Sequence, residues 1–242
     1  MTALLSLSGV SKRHWRSSRP IPVLHDVSFA LHAGDFAAIL GDRRMGKTTL
    51  LRIAAGIEAP DSGRVRFEGR ELGSGRFRRL TGIHPHIGWV GRQAPFASGM
   101  RMLDHVALPL LRVVAAEEAE RRATRALKRV GAGDLASARW HELSDAERTL
   151  VTIAHAIVRD PALLLADDPT SGLGVEERET ILGLLRAIAE EQHMAVLATV
   201  PEIPDALRSH RVMSLGDGEL IQAARRASGE VIAFPQRRDG RA

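Results

Sequence analysis

The chain has 242 residues, of which 44% are hydrophobic and 26% are charged, a composition that is ordinary for a globular protein. It has no cysteine, which excludes disulfides and thiolate metal sites, and no apolar run approaches the roughly 18 residues that span a bilayer. The net charge of +5 is spread along the chain without a nucleic-acid-binding motif, so we expect no nucleic-acid partner.

The N-terminal part of the chain is predicted to contain strands followed by one helix. Val23–Leu31 alternates between apolar and polar residues, and Asp35–Leu40 is predicted as a buried strand that leads into Gly41. Lys47–Ile57 has helical spacing and stops at the turn cluster of residues 59–63. A strand, a glycine-containing loop and a helix therefore follow one another here.

The middle of the chain is predicted to be mostly helical. A helical pattern runs from about residue 102 to residue 130. Ser144, with Glu147 three residues later, forms a capping box and is predicted to start a helix that reaches about residue 158. Before these helices, two strands and a loop with a short helix are predicted at Arg64–Phe67, Ile87–Val90 and residues 69–86.

The last third of the chain is predicted to alternate between strands and a helix. Such alternation predicts an α/β fold with a largely parallel sheet, which binds its ligand at the carboxyl ends of the strands. From about residue 223 onward the chain is basic and is predicted to be a flexible tail. The elements predicted before it are a strand at Ala162–Asp167, a helix at Val175–Glu190, a strand at Ala195–Thr199, and two strands at Val212–Leu215 and Glu219–Ile221 around a Gly216–Gly218 turn.

The segment from Gly41 to Thr48 matches the phosphate-binding loop G-x-x-x-x-G-K-[ST]. Backbone N–H groups of such a loop wrap the β-phosphate at the positive end of the following helix. Lys47 is expected to reach the β- and γ-phosphates, and the Thr48 hydroxyl to bind Mg2+. A chance glycine-rich turn is the alternative, but the predicted strand before the motif and helix after it favour a loop that binds ATP with Mg2+. The candidate nucleotide-binding residues here are Gly41, Arg43, Arg44, Met45, Gly46, Lys47, Thr48 and Thr49.

A second, acidic motif supports this prediction. The apolar run Leu163–Ala166 ends in Asp167 and Asp168. Asp167 is expected to hold Mg2+ through water, and position 168 is the one that normally polarises the attacking water. Two carboxylates that only cap a strand end are the alternative, which is weaker once the phosphate-binding loop is present.

With these motifs placed, the chain resembles the nucleotide-binding domain of ABC transporters over residues 3–222. The resemblance implies a P-loop NTPase fold of the ABC ATPase type over residues 1–222, with a RecA-like core and an N-terminal antiparallel β subdomain. It also implies an α-helical subdomain inserted at about residues 94–160, with residues 223–242 as a tail. Residues 104–111 look most like the lipoprotein-release and macrolide-export branch. The family landmarks occur in order: Walker A at residues 41–49, the signature at Leu143–Glu147, Walker B at Ala166–Thr170, the D-loop at Ser171–Gly174 and the H-loop at Ala198–Pro201.

The chain departs from the family pattern at positions that face the γ-phosphate or the dimer seam in that family. The second Walker B carboxylate, a glutamate in the family, is Asp168, which is one methylene shorter. The H-loop histidine falls on Val200, which cannot hydrogen-bond. The signature keeps Ser144 but has Asp145 in place of a glycine, and the D-loop aspartate falls on Gly174. The resemblance therefore implies a chain that binds ATP but hydrolyses it slowly or not at all by itself.

Two further binding positions are ambiguous in the sequence. A gap-free count puts Arg92 at the Q-loop glutamine position and Gln93 one residue later, and Gln93 is the candidate nucleotide and Mg2+ ligand from this loop. The aromatic residue that stacks on adenine in the family falls at His14, with Trp15 adjacent, so either side chain could stack.

The family resemblance implies partners, because ABC ATPase sites lie between two domains and pair the Walker motifs of one with the signature of the other. We therefore predict an ATP-binding subunit at the cytoplasmic face of the membrane, which couples ATP binding and dimer closure to a separate membrane permease. Pairing with an intact second ATPase is favoured, since a homodimer would carry every defect in both sites. The alternatives are a nucleotide-sensing regulatory pseudo-ATPase and a non-transport ABC ATPase.

Overall fold

The computed structural model describes residues 2–16, 19–72, 84–91 and 99–222, which form two β-sheets and the helices that cover them. The predicted tail at 223–242 and the Q-loop candidates Arg92 and Gln93 lie outside the described residues. The strands are β1 (Leu5–Arg16), β2 (Arg19–Leu31), β3 (Phe36–Leu40), β4 (Ser62–Phe67), β5 (Arg70–Glu71), β6 (Ile87–Val90), β7 (Leu163–Asp167), β8 (Ala195–Val200), β9 (Arg211–Gly216) and β10 (Glu219–Gln222). The helices are α1 (Lys47–Ala54), α2 (Met102–Ala107), α3 (Ala116–Arg129), α4 (Asp145–Ile157), α5 (Val175–Gln192) and α6 (Ile203–Ala206).

The smaller sheet is antiparallel and has the strand order β2-β1-β4-β5. Leu5 of β1 pairs with Leu31 on one side and with Phe67 on the other. These three side chains are buried, because the inward face of each strand carries the apolar residues of its alternating pattern. The sheet corresponds to the N-terminal antiparallel part that the family resemblance implied.

The larger sheet has the strand order β10-β9-β3-β8-β7-β6. The five strands from β9 to β6 are parallel, and only β10 joins antiparallel, through its hairpin with β9. The prediction of a largely parallel sheet is confirmed. Because β3, β8 and β7 run side by side, their carboxyl ends meet at one edge of the sheet.

Two predicted helices have different bounds in the structure. The first, α1, ends at Ala54 instead of Ile57, since Gly56 adopts a left-handed φ of 72° that a helix cannot continue through. The predicted helical run over residues 102–130 is interrupted: α2 ends at Ala107 and α3 begins only at Ala116. Pro109 lies in the intervening 3-10 turn, and its missing N–H cannot donate to a preceding carbonyl.

The capping box predicted before α4 is confirmed. The Glu147 N–H donates to the Ser144 hydroxyl at 3.3 Å, and the Ser144 N–H donates to the Glu147 carboxylate at 2.8 Å. These bonds satisfy two backbone donors at the helix start, and the Ser144 N–H bond lowers the pKa of Glu147.

The larger sheet is buried on both faces by two hydrophobic clusters. One face of β8 carries Val196, Ala198 and Val200, which pack in a cluster with residues of α2 to α5. The other face carries Ala195 and Leu197, which pack with α1 and the antiparallel sheet. Strands that are covered on both sides read as continuous apolar runs, which is how β3, β7 and β8 look in the sequence.

Candidate nucleotide-binding site

A cavity of about 470 Å³ opens at the carboxyl ends of β3 and β7. The loop between β3 and α1 forms one side of it, and the end of β7 forms the other. The cavity therefore lies where the alternating strands and helices predicted a ligand. Its lining residues are His14, Val23, Arg43, Arg44, Gly46, Lys47, Thr48, Thr49, Asp167, Asp168 and Pro201.

The loop between β3 and α1 depends on glycine at two positions. Gly46 adopts a φ of 92°, and a Cβ there would stand 2.8 Å from the carbonyl oxygen of Val23. A Cβ on Gly41 would stand 2.5 Å from the carbonyl oxygen of Leu215. Arg44 also adopts a left-handed φ, of 69°, which costs a non-glycine residue about 1 kcal/mol. Gly41 and Met45 belong to this loop but do not line the cavity.

Lys47 and Arg43 give the cavity a basic wall. The Lys47 ammonium donates hydrogen bonds to the carbonyl oxygens of Gly41 and, at 2.9 Å, Asp42. These bonds hold the lysine head at the mouth of the loop, next to the N–H groups at the start of α1. A terminal phosphate placed in the cavity would meet positive charge and backbone donors together.

Asp167 is held from two sides. The Thr48 hydroxyl donates to Oδ2 of Asp167 at 2.8 Å, and the Thr199 hydroxyl donates to Oδ1 at 3.0 Å. The hydroxyl of Thr48 and the carboxylate of Asp167 are hard oxygen donors of the kind that Mg2+ prefers, so the residues present fit that ion. Thr199 lies in a predicted strand and in the H-loop segment, but its side chain was given no role from the sequence, although it is the polar residue of the otherwise apolar strand β8.

Asp168 lies between two cavities. It lines the phosphate-loop cavity and also a second cavity of about 310 Å³, whose wall includes Trp140, Asp145 and Arg148. Its backbone is left-handed, with a φ of 55°, and its N–H donates to the Thr199 hydroxyl at 2.8 Å. The Asp168 side chain therefore extends from a backbone that is no longer in the strand conformation.

Position 200 in the H-loop segment is a valine, which has no group that can hydrogen-bond. Val200 is fully buried, at 0% exposure, in the cluster that covers one face of the sheet. Pro201 is the residue of this segment that lines the phosphate-loop cavity. The sequence placed Val200 at the histidine position, and the structure shows that the valine faces the core.

The two candidates for the adenine position differ in their location. His14 lines the cavity, and its Nε2 lies 3.1 Å from a carboxylate oxygen of Glu58. Trp15, the next residue along the strand, is 72% exposed and is not part of the cavity wall. Neighbouring residues on a strand face opposite sides, so only one of the two can face the cavity. Of the two alternatives, the geometry favours His14.

The signature segment lies apart from the phosphate-loop cavity. Ser144 is exposed at the start of α4 and does not line that cavity. Asp145 pairs with Arg148 at 3.0 Å, and the Arg148 guanidinium lies 5.5 Å from the centre of the Trp140 ring. The negative charge of Asp145 is thus balanced by the guanidinium of Arg148 in the same helix turn.

Arg178 connects the D-loop to the segment after β8. It donates to the carbonyl oxygen of Leu173 at 3.0 Å, and its guanidinium lies 2.8 Å from the Glu202 carboxylate. It also lies 3.7 Å from the buried carboxylate of Asp205, which accepts a hydrogen bond from Thr170. Burial raises the pKa of Asp205, and the charge of Arg178 opposes that rise. The sequence predictions missed this network.

The fold and the loop together define a class of protein. A buried strand, the loop Gly41–Gly46 and the helix α1, set in a parallel sheet with Asp167 at the end of a neighbouring strand, constitute a P-loop nucleoside triphosphatase fold. Across the described residues, no helix has an apolar stretch long enough to cross a membrane.

Comparison with known proteins identifies the family. The family model described as "ABC transporter" matches residues 24–171. The chain is 31% identical over 232 residues to the uncharacterized ABC transporter ATP-binding protein YknY of Bacillus subtilis (strain 168), covering 94% of this chain and 100% of that protein. The chain therefore belongs to the ABC transporter family, as one of its ATP-binding domains.

Two further relatives agree with this identification. The chain is 32% identical over 237 residues to the macrolide export ATP-binding/permease protein MacB 1/2 of Paracoccus denitrificans (strain Pd 1222). That match covers 96% of this chain but only 35% of the relative. The dimeric structure of the ATP-binding cassette MJ0796 bound to ADP and Pi superposes with a TM-score of 0.81 at 29% identity, covering 89% of this chain and 96% of that one. The fold predicted from the family resemblance is confirmed.

Proposed function

We propose that this chain is the ATP-binding subunit of an ABC-type membrane complex, which couples ATP binding to a separate permease. The observation that carries the proposal is the cavity in which Lys47, Thr48 and Asp167 converge. Lys47 and the loop amides would hold the β- and γ-phosphates, and Thr48 with Asp167 would hold Mg2+. His14 would form the wall against the base. Bound Mg2+ would neutralise part of the phosphate charge and supply Lewis acidity.

The permease partner is proposed from the relatives. MacB 1/2 is named as an ATP-binding and permease protein, and this chain corresponds to about a third of its length. In a complex of separate chains, the permease would be another polypeptide, and this subunit would sit on the cytoplasmic face of the membrane by binding to it.

Slow hydrolysis is the second part of the proposal. Asp168 carries a carboxylate one methylene shorter than the family's glutamate, and a displacement of about 1 Å can cost on the order of 100-fold in rate. Val200 is apolar and faces the hydrophobic core, so it cannot hydrogen-bond the γ-phosphate. ATP would be bound and held longer than it is in a site with intact motifs.

A heteromeric dimer would assign the two roles to different chains. Against an intact signature from a partner ATPase, the Walker motifs of this chain would hold ATP with little turnover. The partner's Walker motifs would meet Ser144 and Asp145 of this chain, where the Arg148 guanidinium offsets the aspartate charge. Turnover would then occur mainly in that second site.

Binding of a fluorescent ATP analogue tests the first part. Lys47→Ala is expected to weaken binding at least about tenfold, because it removes a charge-assisted bond to the phosphates. Lys128→Ala, on α3, removes the same charge outside the cavity and is expected to bind like the wild-type chain. Equal affinity of the two variants would contradict the assignment of the cavity.

ATP turnover tests the second part. The purified chain alone is expected to hydrolyse ATP far more slowly than a family member with intact motifs assayed beside it, and Asp168→Glu is expected to raise the rate. Wild-type turnover as fast as that of the intact enzyme, and abolished by Lys47→Ala, would sink the proposal of slow hydrolysis. Co-purification from the native membrane tests the pairing: a second ATPase with intact motifs and a permease are the expected companions.

A further inference from the structure

We infer that Thr199 is a positioning residue of the nucleotide site, which orients the Asp167 carboxylate toward the magnesium–nucleotide complex and fixes the backbone of Asp168. The inference rests on the proposed ATP binding. It concerns a residue of the H-loop segment that was given no role from the sequence, and it is carried by the hydrogen bonds between adjacent strands.

The position of Thr199 in the sheet places its hydroxyl between the two acidic residues. Thr199 lies on β8, directly beside Asp167 of β7 in the parallel register, and is fully buried at 0% exposure. Its hydroxyl donates to Oδ1 of Asp167 at 3.0 Å and accepts from the Asp168 N–H at 2.8 Å. A hydroxyl can donate once and accept at the same time, so one group serves both neighbours.

The Asp167 carboxylate is fixed by this arrangement. Its two oxygens accept from different hydroxyls, Oδ2 from Thr48 and Oδ1 from Thr199, and the residue is 5% exposed. Rotation of the carboxylate would break both bonds in a place where water cannot readily replace them. The carboxylate plane is therefore set by one threonine from the phosphate loop and one from β8.

The backbone of Asp168 depends on the same hydroxyl. Asp168 leaves the strand with a φ of 55°, immediately after β7 ends at Asp167. Its N–H donates to the Thr199 hydroxyl, and this bond replaces the bond to a backbone carbonyl that a continuing strand would make. The hydroxyl thus determines where β7 stops and in which direction the Asp168 side chain leaves it.

Loss of the hydroxyl is expected to act on the part of nucleotide affinity that depends on magnesium. Lys47 and the loop amides hold the phosphates without Thr199, so affinity in the absence of Mg2+ is expected to stay. Groups that orient a metal-binding carboxylate typically contribute on the order of tenfold or more to metal affinity. A general loss of packing would instead weaken binding in both conditions.

The experiment measures the dissociation constant of a fluorescent ATP analogue for the full chain, in Mg2+ and in EDTA. Thr199→Val keeps the branched shape and removes the hydroxyl, and it is expected to lower the gain in affinity from Mg2+ about tenfold. Thr199→Ser keeps the hydroxyl and is expected to retain most of the gain. Thr152→Val is the matched control, since the hydroxyl of this buried threonine donates to the Arg148 carbonyl of its own helix at 2.7 Å.

Each outcome bears on the inference separately from the proposed function. If the wild-type chain does not bind the analogue, the proposed function fails. If it binds and Thr199→Val keeps the full gain from Mg2+, or loses the same factor in EDTA, Thr199 is not a positioning residue. Thermal unfolding checks that the variants fold. Should Thr199→Val not fold, Thr199→Cys makes the same test with a weakly hydrogen-bonding group, and the same two results would overturn the inference.

Discussion

Asp145 and Arg148 form an ion pair of 3.0 Å across the first turn of α4. From the sequence, only the aspartate was considered. It occupies a position where the family has glycine and where, in that family, the γ-phosphate bound by a partner domain would approach. The structure adds a guanidinium that neutralises it and that also donates to the Trp140 carbonyl at 3.3 Å. The signature segment therefore carries a balanced pair of charges.

The first prediction concerns the stability contributed by this pair. The Asp145 side chain is 70% exposed, so solvent screens the interaction. A double-mutant cycle with Asp145→Asn and Arg148→Gln, measured by urea unfolding, is expected to give a coupling free energy below about 1 kcal/mol. A coupling several times larger would mean that the pair is a structural element of the helix start.

The second prediction concerns Arg178. Arg178→Met is expected to lower the free energy of unfolding at neutral pH by about 2 kcal/mol, because it removes bonds to Glu202 and the Leu173 carbonyl. It also removes a cation that lies 3.7 Å from the buried Asp205, so the pKa of Asp205 is expected to rise further. Burial of the ionised carboxylate then destabilises the variant above that pKa, and protonation relieves the cost.

The deficit of Arg178→Met should consequently be smaller at mildly acidic pH than at neutral pH. Arg186→Met, on the same helix, provides the control, because Arg186 pairs with Glu190 one turn away, at 2.8 Å. Urea unfolding at several pH values measures both variants. A deficit independent of pH, or equal for the two arginines, would contradict the role given to Asp205.

The third prediction concerns acid stability. Burial lowers the pKa of His155 from 6.5 to about 4, and electrostatic repulsion from His105 and Arg159 contributes to this shift. Between these two pH values His155 binds a proton in the unfolded chain but not in the folded chain. The contribution of neutral His155 to the free energy of unfolding is therefore fully present above pH 6.5 and is lost as the pH drops toward 4. This one group accounts for about 3 kcal/mol over the whole window.

His155→Leu cannot titrate and is expected to flatten this pH dependence. The measurement is the free energy of unfolding at a series of pH values, taken as the difference between wild type and variant. His25→Leu, at an exposed position of β2, is the control for a histidine-to-leucine change outside the core. An identical slope in wild type and His155→Leu would show that other groups dominate.

The fourth prediction concerns an attempt to restore the H-loop histidine. Val200→His places an imidazole in the hydrophobic cluster that now holds the valine. The free energy of unfolding is expected to fall by about 1–3 kcal/mol, since a buried polar group without a partner is costly. Ile203→His, three residues later at an exposed position, should change it by less than about 0.5 kcal/mol. Equal stabilities would indicate that the new side chain leaves the core.

The phosphate loop, the acidic strand end and the cap of α4 could be predicted because each is encoded in a short stretch of sequence. Gly41 to Thr48 has fixed spacing, and Ser144 with Glu147 satisfies the helix start locally. The break between α2 and α3 had a local cause too, in Pro109, which the helical pattern of its neighbours outweighed in the prediction.

Thr199 and Arg178 could not be predicted because their partners lie on other elements. The bond from Thr199 to Asp167 depends on β7 and β8 being neighbours in register, 32 residues apart in sequence. The choice between His14 and Trp15 depends on which face of β1 meets the cavity. Strand alternation shows that the two differ, and only the tertiary fold shows which one faces inward.

A single hydrophobic cluster crosses from the helices α2 to α4 into the larger sheet. Val106 of α2 and Ala123 of α3 belong to the same cluster as Val90 and Ala166 of the sheet. The helical segment and the strands beneath it therefore constrain each other's volumes. A chimera that takes this segment from a relative would need the matching sheet residues from the same relative, because a change of side-chain volume on one side of the contact leaves a cavity or a clash on the other.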